Sequence, residues 1–116
     1  MIKKSKVVLL PCAEYDEKKI YALLKKGLSL LDGIEYLIPM DKKILLKPNL
    51  LKKAEVEKAV ITHPVVVGAF ARILREKGYK NIVLADSCGH GTTKSVIRGT
   101  GMDNYLEKYQ IPAIDY

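Results

Sequence analysis

Residues 86 to 93 read Asp-Ser-Cys-Gly-His-Gly-Thr-Thr, so a carboxylate, a thiol, an imidazole and three hydroxyls follow directly on the apolar run 82 to 85. Such a stretch has the parts of an anion cradle. Gly89 and Gly91 permit positive φ and close backbone approach, and Ser87, Thr92 and Thr93 can donate from their hydroxyls. A helix starting near Thr93 would also aim free N–H groups at the same point. The same residues equally suit a strand-to-helix turn that needs glycine and a threonine cap for backbone reasons only. His90, flanked by glycines, has little packing to gain. It suits proton transfer near neutral pH, or metal ligation together with Cys88 and Asp86. Three ligands within one pentapeptide converge poorly on a single ion, so no metal site is assigned. Cys12 and Cys88 read as small, semi-buried thiols rather than nucleophiles.

Other polar residues stand at comparable positions. Lys47 ends the apolar run "KILLK", either snorkelling to solvent or fixed as a cation aimed into a cleft. Asn49, after Pro48, either serves turn chemistry or orients a ligand. Thr62 and His63 precede Pro64, which favours the first position of a helix; His63 is either a neighbour of that cap or a group that moves a proton. Asp86 could cap the following backbone, orient an imidazole or ligate a metal. The candidate set is therefore His63 and His90 for catalysis, with Lys47, Asn49, Thr62, Asp86, Ser87, Gly89 and Gly91 for ligand binding.

The elements that must position these residues follow from periodicity. "KVVLL" at 6 to 10 predicts a strand ended by Pro11. From Asp16 onward Ile20, Leu23, Leu24, Leu28 and Leu31 recur at three and four residues, predicting an amphipathic helix with Asp16 as N-cap and Gly33 as terminator. A second strand is expected at 43 to 47. Residues 48 to 61 read as a loop with a helical turn around Glu55 to Ala59. A helix over 64 to 77 should end at Gly78, a third strand spans 81 to 86, and helix within 94 to 109 is interrupted at Gly99 and Gly101. "PAIDY" is expected as a fourth strand. This alternation predicts one α/β domain, a parallel, Rossmann-like open sheet of about four strands with helices on both faces. In such a sheet ligands sit beyond the carboxyl ends of the strands, where the candidate residues fall. The chain stops on its last strand, so it is expected to be the N-terminal part of a longer domain.

Composition narrows the partners. The chain has 116 residues, 48% of them hydrophobic, and two cysteines. Two cysteines make no disulfide framework, and without a C-x-x-C neither a zinc ribbon nor an iron–sulfur cluster can be ligated by this chain alone. No apolar run reaches the roughly 20 residues that a membrane span needs, and no secretory signal is present, so the expected location is cytoplasmic. The net charge of +7 would suit nucleic acid, but the lysines are scattered among acidic residues and are not interleaved with aromatics. A small anionic ligand suits the charge better.

"KILLKPNLL", then "AVITHPVVVGAFARILREKGYKNIVLADSCG", then "GTGMDNYLEKYQIPAIDY" resemble the domain of unknown function 362 family, described as uncharacterised iron–sulfur-centre proteins. The K-P-N, T-H-P and D-S motifs stand in order, and "PCAEYD" is similar to the family's start. The resemblance implies a longer domain, often followed by a ferredoxin-type cysteine module that this chain lacks, so a cluster would come from another protein or from the missing remainder. A more distant similarity, to the N-terminal domain of nickel-pincer lactate racemases, puts His63 where that family has an arginine and His90 near its loop histidine. The expected function is part of an enzyme binding a small anionic or phosphorylated ligand at the carboxyl edge of the sheet. The alternative is a non-catalytic module that supports iron–sulfur redox chemistry or binds a partner subunit.

Overall fold

In the computed structural model, which describes residues 3–115, the helices begin and end where the capping chemistry of the sequence dictates. α1 (Glu17–Leu30) starts where the Asp16 carboxylate accepts the Lys19 N–H at 2.9 Å. It is closed by Gly33, whose positive φ of 91° lets its N–H reach back to the Leu28 carbonyl at 2.8 Å. A single further turn, α2 (Ile34–Leu37), follows. Four residues are too few to show a helical period, so the sequence carries no signal for it.

β1 (Ile44–Leu46) lies parallel to β2 (Ile82–Leu84), with Ile44 opposite Ile82 and Leu46 opposite Leu84. Between them run a 3-10 turn at Val56–Lys58 and α3 (Pro64–Lys77), which has proline at its first turn and Gly78 left-handed at its end. α4 (Thr93–Ile97) and α5 (Met102–Lys108) are separated at Gly99 and Gly101, both with positive φ. The break expected from those two glycines is therefore present.

The sheet is smaller than the expected four strands: among the described residues it has two. "PAIDY" contributes one parallel bridge, Leu84 with Ala113, through the Leu84 N–H to the Pro112 carbonyl and the Ile114 N–H to the Leu84 carbonyl, each 2.9 Å. Proline cannot donate, so residue 112 adds only its carbonyl to the ladder, and Tyr116 lies outside the described residues. Residues 6 to 10 form no strand. Among the described residues no backbone hydrogen bond reaches them, although burial alternates along the run as in an extended segment: Val8 and Leu10 are half-buried, Val7 and Leu9 are 87% and 93% exposed. An apolar run reads as a buried strand by composition, but a strand also needs an edge to pair with.

Coverage of both sheet faces is not reached either. Ile44, Ile82 and Leu84 join Leu74 of α3, Val96 of α4 and Met102 of α5 in one core, whereas Leu45, on the opposite face, is 52% exposed. The helices thus pack one side of the small sheet and fix its carboxyl ends, where the loops after β1 and β2 meet.

Candidate functional site

Both strands end in polar residues, and Asp86 ties the two ends together. Its carboxylate, 7% exposed, accepts the Lys47 ammonium at 2.5 Å on one oxygen and the Leu50 N–H at 2.9 Å on the other. Its backbone is held as well: the Asp86 N–H donates to Thr93 Oγ1 at 3.2 Å, and that hydroxyl donates to the Asp86 carbonyl at 3.1 Å. Lys47 first, then the Leu50 N–H, stabilise the carboxylate and pull its pKa below the ordinary aspartate value against the cost of burial. A buried carboxylate with such partners stays ionised and acts as a structural centre.

The strap from Lys47 to Leu51 is pinned at both ends. The Asn49 N–H donates to Thr62 Oγ1 at 2.8 Å, the Thr62 N–H returns to the Asn49 carbonyl at 2.9 Å, and the Asn49 amide donates to the Val60 carbonyl at 3.2 Å. At the other end the His90 N–H donates to the Leu51 carbonyl at 2.9 Å. Gly89 is required here by contact: a Cβ on it would lie 2.8 Å from Leu51 Cδ1 and 3.1 Å from the Leu51 carbonyl oxygen. Gly91 is required by conformation, at φ +93°. The three motifs, 47 to 51, 62 to 63 and 86 to 91, are therefore one connected assembly, and Asn49, Thr62 and Asp86 bond to one another's segments.

His63 takes the capping role. Its Nδ1 accepts the Val65 N–H at 3.2 Å, and its half-buried ring stacks on Tyr15 with centroids 3.8 Å apart and planes 6° from parallel. Burial pushes its pKa below the ordinary imidazole value, opposed by the charge of Glu57. With Nδ1 accepting, the neutral ring carries its proton on Nε2, a donor and not a base at that atom. Among the described residues no hydrogen bond or ring contact joins His63 to His90. Tyr15 and Leu51 were not singled out by sequence reasoning, since neither belongs to a polar motif.

Ser87, Gly89, His90 and Gly91 are exposed, and Lys47 is 56% exposed by side chain, so the edge beside Asp86 is an open surface. Cavities of about 620 and 540 Å³ lie along α1, and a third of about 550 Å³ lies between residues 53 to 57 and 98 to 100. The helix expected near Thr93 does begin there, but its Lys94 and Ser95 N–H groups are bonded within the chain. The Lys94 N–H donates to Asp115 at 2.8 Å, while Thr92 and Ser95 form a reciprocal capping box. Cys88 is half-buried with its Sγ 3.7 Å from the Asp86 carbonyl, and burial raises its thiol pKa, which keeps it protonated. Among the described residues no three His, Cys, Asp or Glu side chains gather as metal ligands. No helix is long and apolar enough to cross a membrane among the described residues. Chemically, what the edge offers is an ammonium, a hydroxyl and an imidazole around a fixed loop.

Comparison with known proteins matches the same region. A thylakoid-associated protein of Synechocystis sp. is 31% identical over 110 residues, covering 95% of this chain and 34% of that protein. The chain thus spans about a third of the length of the curated relative it matches. No solved structure matches it. The family model described as Domain of unknown function (DUF362) matches residues 44–116, from β1 through the whole Asp86 assembly. With well over half of its length matched, this chain belongs to the DUF362 family.

Proposed function

We propose that the edge formed by Lys47, Ser87 and His90 binds a small anionic or phosphorylated ligand, and that the chain is the N-terminal part of an enzyme domain. The observation that supports it is the ionised, buried Asp86, which holds the exposed Lys47 ammonium at the point where the exposed 87 to 91 loop leaves β2. Asn49, Thr62, Gly89 and Gly91 are positioning residues in this reading, and His90 is the group available to move a proton. A cytoplasmic location belongs to the same proposal, supported by two free cysteines at positions 12 and 88.

Titration calorimetry with inorganic phosphate at low salt tests it. Phosphate should bind wild-type protein, and Lys47→Ala or His90→Ala should weaken binding by about tenfold, the loss of one charge-assisted hydrogen bond. Lys25→Ala, on α1, should not. Equal losses from all three substitutions would mean that phosphate reads only the basic surface.

A further inference from the structure

We propose that Tyr15 and His63 form a pH-sensitive latch that fastens the N-terminal segment to the start of α3 and opens when the imidazole takes up a proton. This device is independent of the anion-binding edge. The neutral ring does two things at once. Its Nδ1 accepts the Val65 N–H at 3.2 Å, which fixes its orientation, and its face lies on Tyr15 at a centroid distance of 3.8 Å, 6° from parallel. Tyr15 is otherwise 62% exposed. Other ties of this segment run to α1: Glu14 pairs with Lys19, Asp16 caps the helix, and Val8 and Leu10 lie beside Gly27. The Tyr15–His63 stack reaches α3 instead. Tyr15 also lines the 540 Å³ groove with Leu24 of α1 and with Val66 and Phe70 of α3, so the latch sets how far that groove opens.

The chemistry of the ring makes the latch respond to acid. With Nε2 already carrying a proton, the second must enter at Nδ1, the atom that caps the helix. Two donors then face each other, and a positive charge sits at the positive end of the 14-residue α3, so the ring turns off its cap. A charged imidazole is attracted to the Tyr15 ring face, but Tyr15 is exposed and solvent screens that attraction. Among the described residues the charge that acts on the ring is Glu57, in the 3-10 turn at Val56–Lys58, and it favours the proton. Glu14 and Asp16, beside Tyr15, are engaged by Lys19, and Glu17 accepts the Tyr105 hydroxyl at 3.1 Å. The first turn of α3 carries no acidic residue. Burial outweighs Glu57 in the closed latch and lowers the pKa of His63, whereas a released ring titrates near the ordinary 6.5. The closed form thus binds fewer protons, and the latch opens as pH falls below 6.5.

Proton NMR of the full chain from about pH 7.5 down to about pH 5 reads both halves of the latch. The Tyr15 ring resonances, displaced by the imidazole stacked on them, should move to free-tyrosine positions along the same curve as the His63 ring protons. The core amides of Leu50 and Ile82 should hold still, because Asp86 stays ionised in this range. Glu57→Gln should carry the His63 and Tyr15 curves together to lower pH. In His63→Asn the Tyr15 ring should stand at free-tyrosine positions throughout. A Tyr15 ring that stays displaced while His63 charges would overturn the proposal, since the imidazole would then turn in place with the stack intact. A Tyr15 curve that persists in His63→Asn, or that does not follow the His63 curve in Glu57→Gln, would overturn it as well. So would core amides that move with Tyr15, the mark of general loosening.

Discussion

Asp86 ties the segment after β1 to the end of β2 through Lys47 and the Leu50 N–H. Replacing it with Ala leaves the Leu50 N–H without its acceptor and Lys47 without its counter-charge; the expected cost is about 2 to 3 kcal/mol, less than for a fully buried pair because Lys47 is half in solvent. Urea unfolding at neutral pH measures it. Because the folded pKa is depressed, this stabilisation is present above the ordinary aspartate value of 3.8 and is lost as pH falls below that towards the folded value. Asp86→Asn should flatten that part of the stability profile. His63 has the opposite chemistry and the same direction. Its pKa is lowered from 6.5, so folding favours the neutral ring, and stability should decline as pH falls below about 6.5 until the folded pKa is passed. His63→Asn, which keeps a capping oxygen, should remove that decline, and His63→Ala should remove it too while costing about 1 kcal/mol above pH 6.5, where the ring is neutral and caps the helix. Sequence alone picked out Lys47, Asn49, Thr62 and Asp86 because lysine, amide, hydroxyl and carboxylate at strand ends are conspicuous. It could not say that all four bond within one assembly, because residue type gives bonding capacity and only tertiary proximity gives the partner.

At the scale of elements, helix ends were legible because caps are local. Asp16, Gly33, Pro64, Gly78 and the Gly99 and Gly101 pair act within a few residues of themselves, and each does what its type predicts. Strands were less legible, since pairing is not a local property. β1 and β2 found each other, but 6 to 10 has the composition of a strand and no pairing strand among the described residues, and 112 to 115 makes one bridge there. Two packing devices had no sequence signal at all. Gly68 of α3 lies against the Tyr105 ring of α5, so that a Cβ there would overlap the ring. Gly68→Ala should destabilise by about 1 to 3 kcal/mol despite its better helix propensity, and thermal unfolding will show the sign. Arg75, near the end of α3, donates to the carbonyls of Tyr79, Lys80, Tyr109 and Gln110 at 2.7 to 3.0 Å, clamping the turns that follow α3 and α5. Arg75→Lys should lose about 1 to 2 kcal/mol in the same measurement, since an ammonium cannot reproduce the planar fork.

For the molecule as a whole, these devices leave one side of a two-stranded sheet closed by helices and the other open at Leu45, with a polar edge fixed at the strand ends. Of the expected Rossmann-like sheet the described residues form one parallel pair, because the alternation of elements fixes their order and not how many strands find partners. What survives of the sequence reading is convergence: residues distant along the chain share one edge through Asp86. Backbone amide NMR during titration with inorganic phosphate tests the central claim most directly. Shifts confined to Lys47–Leu51 and Ser87–Gly91, and lost in Lys47→Ala, are the predicted result. Shifts scattered over the lysines of α1 and the N-terminal segment, with none in the 87 to 91 loop, would contradict it.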